Sequence, residues 1–106
     1  MATSRIDAFK QMLSGDPDNA NVRFGLANEY LKAEQYQEAV EELERYLQLA
    51  DDEGAAYGML ARALEQLGQR SRAREAYEQG ITAAEAHNHP TMAGEYRMTL
   101  ETEYED

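Results

Sequence analysis

The sequence predicts an all-α protein built from helix–turn–helix repeats. Strong helix formers, mainly alanine, glutamate, leucine, glutamine and arginine, dominate the 106 residues. Apolar side chains recur at helical spacing, and no stretch alternates with the period of two that a strand needs. Residues 20–53 align with residues 54–87 at an offset of 34, with identical residues at seven pairs of positions. Together, these observations predict a repeated pair of helices.

Start and stop signals divide the chain into six predicted helices, in one domain spanning 1–106. Ser4 and Asp7 form a candidate capping box for the first helix, and Gly15 is expected to end it in the left-handed conformation. A polar turn over residues 16–19, which contains Pro17 and candidate N-caps, precedes the second helix. The predicted helices cover about residues 4–14, 20–33, 36–50, 54–67, 70–87 and 90–104.

Start and stop signals are also present for the third to the sixth helix. The third has an apolar face that includes Tyr36, Val40 and Tyr46. Acidic residues 51–53 favour the N-terminus of the fourth helix, and Gly68 allows the chain to reverse before the fifth. Residues 88–90 begin the last helix with a proline in its first turn. The acidic residues 101–106 oppose that helix's dipole, so its end is expected to fray.

The repeated positions resemble the tetratricopeptide-repeat (TPR) family, whose period is 34 residues. In the first copy the pattern consists of Leu26, Ala27, Tyr30, Ala39 and Leu43. In the second copy it consists of Tyr57, Leu60, Ala61, Ala73 and Tyr77. Phe9 and Pro17 lie 34 residues before Leu43 and Asp51, where the family has an aromatic residue and a proline. The resemblance implies a right-handed solenoid of paired helices.

The resemblance also implies how the chain is divided. Residues 4–17 correspond to the second helix of a repeat, 20–53 to repeat 1 and 54–87 to repeat 2. Residues 88–104 depart from the pattern, and their stripe of Met92, Tyr96 and Leu100 predicts a capping helix. The small residues at the repeated positions, and Gly80 with them, are expected where two helices cross closely. Arg23 departs from the pattern, since Tyr57 is the aromatic residue at the equivalent position.

Composition and charge exclude several classes of function. The chain has no cysteine, which excludes disulfides and thiolate sites and fits a cytoplasmic setting. The net charge of −11 argues against nucleic acid and anionic membranes, and it favours a basic partner. No apolar run approaches the roughly 20 residues that span a bilayer.

The sequence offers little for catalysis or for a cofactor. The two histidines, His87 and His89, have neither a third histidine nor a cysteine to complete a metal site. No serine has a histidine base at a plausible position for a triad, and no phosphate-binding glycine motif occurs. The chain is therefore predicted not to be an enzyme and to need no cofactor or metal.

The predicted activity is to bind a peptide or a partner helix in a concave groove, as the resemblance implies. The first helices of the repeats would line this groove, with Asn28 bonding a peptide backbone, Arg62 pairing with a carboxylate and Gly58 leaving room for the ligand. The full predicted set is Asn21, Phe24, Asn28, Leu31, Lys32, Gly58, Arg62, Glu65 and Gln66. The alternative role is structural, through self-association of the repeat ends into a homo-oligomer, although a monomer is favoured.

Overall fold

The computed structural model describes residues 4–105, which form six α-helices and no strand. The helices are α1 (Arg5–Gly15), α2 (Ala20–Lys32), α3 (Tyr36–Leu49), α4 (Ala55–Gln66), α5 (Arg70–Ala86) and α6 (Pro90–Glu103). Every predicted helix is present, and each predicted boundary lies within one residue of the observed one. The chain divides between Asp51 and Asp52 into two compact units, so that unit 1 holds α1–α3 and unit 2 holds α4–α6.

Three helices begin with a side chain that accepts hydrogen bonds from free backbone N–H groups. Ser4 Oγ accepts from the N–H of Asp7 at 3.2 Å, and Asn19 Oδ1 accepts from the N–H of Val22 at 3.1 Å. The Asp52 carboxylate accepts from the N–H groups of Gly54 and Ala56 at 2.8 and 2.9 Å. These contacts satisfy donors that the first turn of a helix cannot pair internally, which explains why the helices start where the sequence predicts.

Helices α2, α4 and α5 end in the same kind of turn. Glu34, Gly68 and Asn88 have φ angles of 58°, 75° and 67°, and the N–H of the next residue donates to a carbonyl in the last helical turn. The prediction that Gly15 ends α1 in this conformation is wrong. Gly15 remains helical, and the chain leaves the helix through Asp16, whose N–H donates to the carbonyls of Met12 and Leu13.

Unit 1 packs α1 and α3 against α2. Its core consists of Leu13, Val22, Leu26, Tyr30 and Ala39, flanked by Ile6, Phe9 and Leu31. Gly25 lets α1 approach α2 closely, because a Cβ there would lie 2.9 Å from the Phe9 ring. The contacts of Arg23 explain why an arginine replaces the aromatic residue of the repeat pattern at this position. Its guanidinium donates to the carbonyl oxygen of Pro17 and to the Glu42 carboxylate, both at 2.9 Å, which ties the turn before α2 to α3.

Unit 2 packs α4 and α6 against α5, around a core that includes Leu60, Ala61, Leu64, Ala73 and Tyr77. The predicted close approach at Gly80 is confirmed, because a Cβ at that position would lie 2.8 Å from the Tyr96 ring and 3.0 Å from Tyr57 Cβ. Among the predicted signature residues, Phe9 and Tyr57 are half-buried and Pro17 is exposed, while the others are buried.

The end of α6 is anchored, so the prediction that it frays is wrong. Tyr104 is 3% exposed, and its hydroxyl donates to Glu65 at 2.7 Å. Arg70 lies over the Tyr104 ring at 4.3 Å and donates to the carbonyl of Glu103, while Arg74 donates to the carbonyl of Tyr104. These two guanidinium groups offset the unfavourable acidic C-terminus, because they bond carbonyls that the helix leaves unpaired.

Candidate functional site

A cleft of about 640 Å³ lies in unit 2 between α4 and α6. We call it the α4–α6 cleft. Helix α4 contributes one wall, and α6 with the residues just before it contributes the other. The lining residues are Ala55, Met59, Arg62, Asn88, His89, Pro90, Thr91, Met92, Glu95 and Tyr96. Its volume falls in the range of roughly 300–1,000 Å³ that ligand sites in proteins occupy.

Tyr96 forms the floor of the cleft. Its hydroxyl donates to the carbonyl of Gly54 at 2.9 Å, and the ring lies over Gly58 and Gly80, which have no side chains to obstruct it. Burial raises the pKa of Tyr96, so the phenol remains neutral at physiological pH. The floor is therefore an uncharged aromatic surface that is held in place by both neighbouring helices.

Arg62 supplies a positive charge to the cleft. Within residues 4–105, each of the other seven arginines makes a hydrogen bond or an ion pair through its guanidinium group. No such contact joins Arg62 to any described residue, although its charge lowers the pKa of both Tyr77 and Tyr96 against the upward effect of burial. Arg62 is also exposed, so its guanidinium is available to a ligand in the cleft.

The rim of the cleft carries a histidine and acidic groups. His89 Nε2 lies 2.6 Å from Glu53 Oε1, which places a histidine–carboxylate pair where α6 begins. Glu95 lies on the α6 wall and is exposed. No ion pair connects Glu95 with Arg62, so a bound molecule could contact each of them separately.

Glu65 connects α4 with α5 and with the end of α6 through hydrogen bonds. Its carboxylate accepts from the hydroxyl of Tyr77 at 3.2 Å and from that of Tyr104 at 2.7 Å. Burial, assisted by this carboxylate, raises the pKa of Tyr77 to about 12 and also raises that of Tyr104. A second cleft of about 420 Å³ opens beside this network, and Arg62 lines both clefts.

The structure places the predicted groove residues of unit 2 in different environments. Arg62 faces the α4–α6 cleft, and Gln66 is exposed. The expectation that Gly58 leaves room for a ligand is wrong, because Tyr96 occupies that space and a Cβ on Gly58 would lie 2.8 Å from Tyr96 Cζ.

The predicted groove residues of unit 1 also differ from one another. Asn21 is exposed, Asn28 is half-buried, and Lys32 forms an ion pair with Glu29 at 3.3 Å. Leu31 packs against the core of the unit. Phe24 is half-buried against Tyr46, with 5.0 Å between the ring centroids.

Sequence reasoning missed Met59, Met92 and Glu95 as residues of the cleft. The signal was present, since α6 follows repeat 2 at the place where the first helix of another repeat would begin. The stripe of Met92 and Tyr96 predicts only a capping helix, because the pattern of α6 alone does not contain the face of α4 that it covers.

Residues 4–105 contain no group of three or more histidine, cysteine, aspartate or glutamate side chains placed to hold a metal ion. Over the same residues, no helix combines the length and the apolar character that crossing a bilayer requires.

Comparison with known proteins identifies the fold. The sequence model of the tetratricopeptide-repeat family matches residues 6–52 and 30–89, which together cover most of the six helices. The chain belongs to the tetratricopeptide-repeat family. The predicted all-α, TPR-like fold class is thereby confirmed, and membership assigns the chain to a family of protein-interaction modules.

Relatives of the TPR chain include one curated protein and two solved structures. This chain is 35% identical over 82 residues to the TPR repeat-containing protein PA0015 of Pseudomonas aeruginosa. The match covers 77% of this chain and 78% of the relative. The solution structure of protein BPP2914 from Bordetella parapertussis matches with a TM-score of 0.77 and 27% identity, covering 94% of this chain and 87% of that one. The crystal structure of MamA matches with a TM-score of 0.52 and 21% identity, covering 91% and 85%, and it supports the fold alone.

Proposed function

We propose that this TPR chain is a non-enzymatic interaction module that holds an extended peptide segment of a partner protein in the α4–α6 cleft. The observation that carries the proposal is the cleft itself, which combines an aromatic floor, two methionines and an unpaired arginine. The resemblance to the TPR family implies that the first helices of the repeats line the binding groove. Helix α4 is the first helix of repeat 2, and α6 follows in the position of the next first helix.

The size of the cleft favours an extended segment over a partner helix. A three-turn helix is about 16 Å long and 10–12 Å wide, so it occupies on the order of 1,200 Å³. The cleft offers about 640 Å³, enough for a few residues of extended chain. The side chain of Arg62 and the polar rim at His89 and Glu95 can bond such a segment, while Met59 and Met92 contact its apolar side chains.

The proposal is tested by selecting a phage-displayed random dodecapeptide library against the purified protein and measuring the affinity of the enriched peptides. Ala55 is exposed at the edge of the cleft, so Ala55→Arg should fold normally and block entry. Ala8, exposed on α1 in the other unit, provides the matched control Ala8→Arg. We expect Ala55→Arg to abolish binding and Ala8→Arg to preserve it. Peptides that bind both variants like the wild type would overturn the proposal, as would a library that yields no enrichment.

A monomeric state and a cytoplasmic setting complete the proposal. Within the described residues, the large hydrophobic side chains that are exposed are Met12 and Met98, one in each unit. A single exposed methionine per unit supplies little apolar area for self-association. Sedimentation across a range of concentrations tests this point: we expect one monomeric species, and a concentration-dependent dimer would instead support the structural alternative.

A further inference from the structure

We infer that the α4–α6 cleft selects a segment in which a single carboxylate side chain lies next to a large apolar one. The inference rests on the proposed function and specifies the chemistry of the partner. It depends on three features of the cleft: the unpaired charge of Arg62, the two methionines beside it, and the acidic groups that surround both.

The charge of Arg62 is unusual for this chain. The protein carries 21 acidic residues against 10 basic ones, so an arginine without a hydrogen bond or ion pair to any described carboxylate is unexpected on its surface. The other arginines bond carboxylates, an amide or backbone carbonyls within their own unit, whereas Arg62 bonds none of the described groups. A guanidinium recognises a carboxylate through two parallel hydrogen bonds, which makes a carboxylate the complementary ligand group.

The apolar part of the site lies along the same walls. Met59 precedes Arg62 by one helical turn on α4, and Met92 is on the α6 wall. Both are half-buried, so each exposes part of a flexible thioether chain to the cleft. Methionine adapts to apolar side chains of different shapes, which favours a large apolar residue without fixing its identity. Because Met59 and Arg62 are one helical turn apart on α4, they can contact an apolar residue and an acidic residue that are close together in the bound segment.

The surroundings limit how much negative charge the segment can carry. Glu95 lines the cleft and Glu53 holds His89 at its rim, and the whole chain has a net charge of −11. A segment with several acidic residues would gain one favourable contact at Arg62 and meet repulsion elsewhere. The cleft should therefore prefer a single acidic residue in an otherwise neutral or basic segment, which also agrees with the basic partner that the overall charge favours.

The test uses peptides enriched from the dodecapeptide library and measures their affinity by fluorescence anisotropy. We expect an aspartate or glutamate within two positions of a leucine, isoleucine, methionine or phenylalanine. Arg62→Gln should weaken binding by about 10- to 100-fold, the range expected for a hydrogen bond to a charged group. Arg72→Gln is the matched control, because it removes the same charge from an exposed arginine on α5 that does not line the cleft. It should change affinity less than about twofold.

A second change separates a direct contact from a general charge effect. Replacing the acidic residue of the peptide by its amide should weaken binding to the wild type by the same factor, and should not weaken binding to Arg62→Gln any further. If the peptides lose affinity for Ala55→Arg but bind Arg62→Gln normally, the cleft is used and the inference is wrong. If they bind Ala55→Arg normally, the proposed function itself fails. Thermal melts followed by circular dichroism establish that each variant is folded.

Discussion

The two repeats fill the space beside the same helix crossing in different ways. In repeat 1, Phe24 and Tyr46 pack against each other, with 5.0 Å between their ring centroids. The positions 34 residues later are Gly58 and Gly80. In unit 2 the Tyr96 ring from α6 covers both glycines. The signature alanines are fully buried in both repeats, whereas the residues that differ decide which element supplies the remaining volume.

The same comparison explains why the cleft lies where it does. Repeat 1 completes its packing with its own aromatic pair, and Arg23 ties α2 to α3 through Glu42. Repeat 2 has two glycines, so α6 must supply the missing side chain, and the position of α6 forms the second wall of the cleft. The glycines that admit Tyr96 therefore also position the candidate binding surface.

The largest effect is expected when Gly58 of repeat 2 is replaced by phenylalanine, the residue at the equivalent position 24 of repeat 1. Gly58→Phe places a ring where Tyr96 already lies, so we expect a loss of about 3 kcal/mol or more in the free energy of unfolding, measured by urea denaturation. The control is Gly94→Ala, at an exposed helical position with no atom within 4 Å of the new Cβ. It should add about 0.5–1 kcal/mol. Equal stability of Gly58→Phe and the wild type would contradict the packing of Tyr96.

A smaller loss is expected when the end of α6 is released. Tyr104→Ala removes a buried ring from beneath Arg70 and a hydroxyl from Glu65, so stability should fall by about 2–3 kcal/mol. Tyr104→Phe keeps the ring and should lose only about 1 kcal/mol. Hydrogen exchange of the last-turn amides of α6 provides the local measurement. We expect slow exchange in the wild type and fast exchange in Tyr104→Ala. Fast exchange in both proteins would show that the end of α6 frays and would contradict its anchoring by Tyr104.

Alkaline pH tests the same tyrosine network with an effect on the order of 2 kcal/mol. The pKa of Tyr77 is about 12 in the folded protein and 10.0 in a free chain. Below pH 10 the phenol is neutral in both states and stability is full. Between pH 10 and 12 the unfolded state loses its proton first, so stability falls as pH rises. Denaturation midpoints measured from pH 9 to 12 should show this decline, and Tyr77→Phe should make it shallower. A slope that is identical in the variant would contradict the raised pKa.

The smallest effect compares the two turns that close the first helices. Glu34 and Gly68 occupy equivalent positions and both have positive φ angles, 58° and 75°. Glutamate is strained in this conformation and glycine is not, so Glu34→Gly should raise stability by about 0.5–1 kcal/mol. The reciprocal change, Gly68→Glu, should lower it by a similar amount. Denaturation midpoints that move in the same direction for both variants would show that the turns are not equivalent.

The helices, their boundaries and the repeat could be predicted because they depend on local signals: spacing of apolar residues, caps such as Asn19, and turn residues such as Gly68. The roles of Gly58, Glu65 and Tyr104 could not. Each depends on a side chain more than ten residues away in sequence, and the pattern of a single helix does not contain that partner. The sequence predicts that Arg62 can pair with a carboxylate, but only the structure shows that it has no hydrogen-bonded or ion-paired partner among residues 4–105.

The most direct test of the central claim is an NMR titration of the ¹⁵N-labelled protein with the tightest peptide from the library. If unit 2 binds its partner between α4 and α6, the largest shift changes will fall on the backbone amides of Ala55, Met59, Arg62, Met92 and Glu95. The amides of Arg72, Glu75 and Gln79, on the exposed face of α5, should remain unchanged. Large shifts on that face of α5, with none in the cleft, would contradict the account.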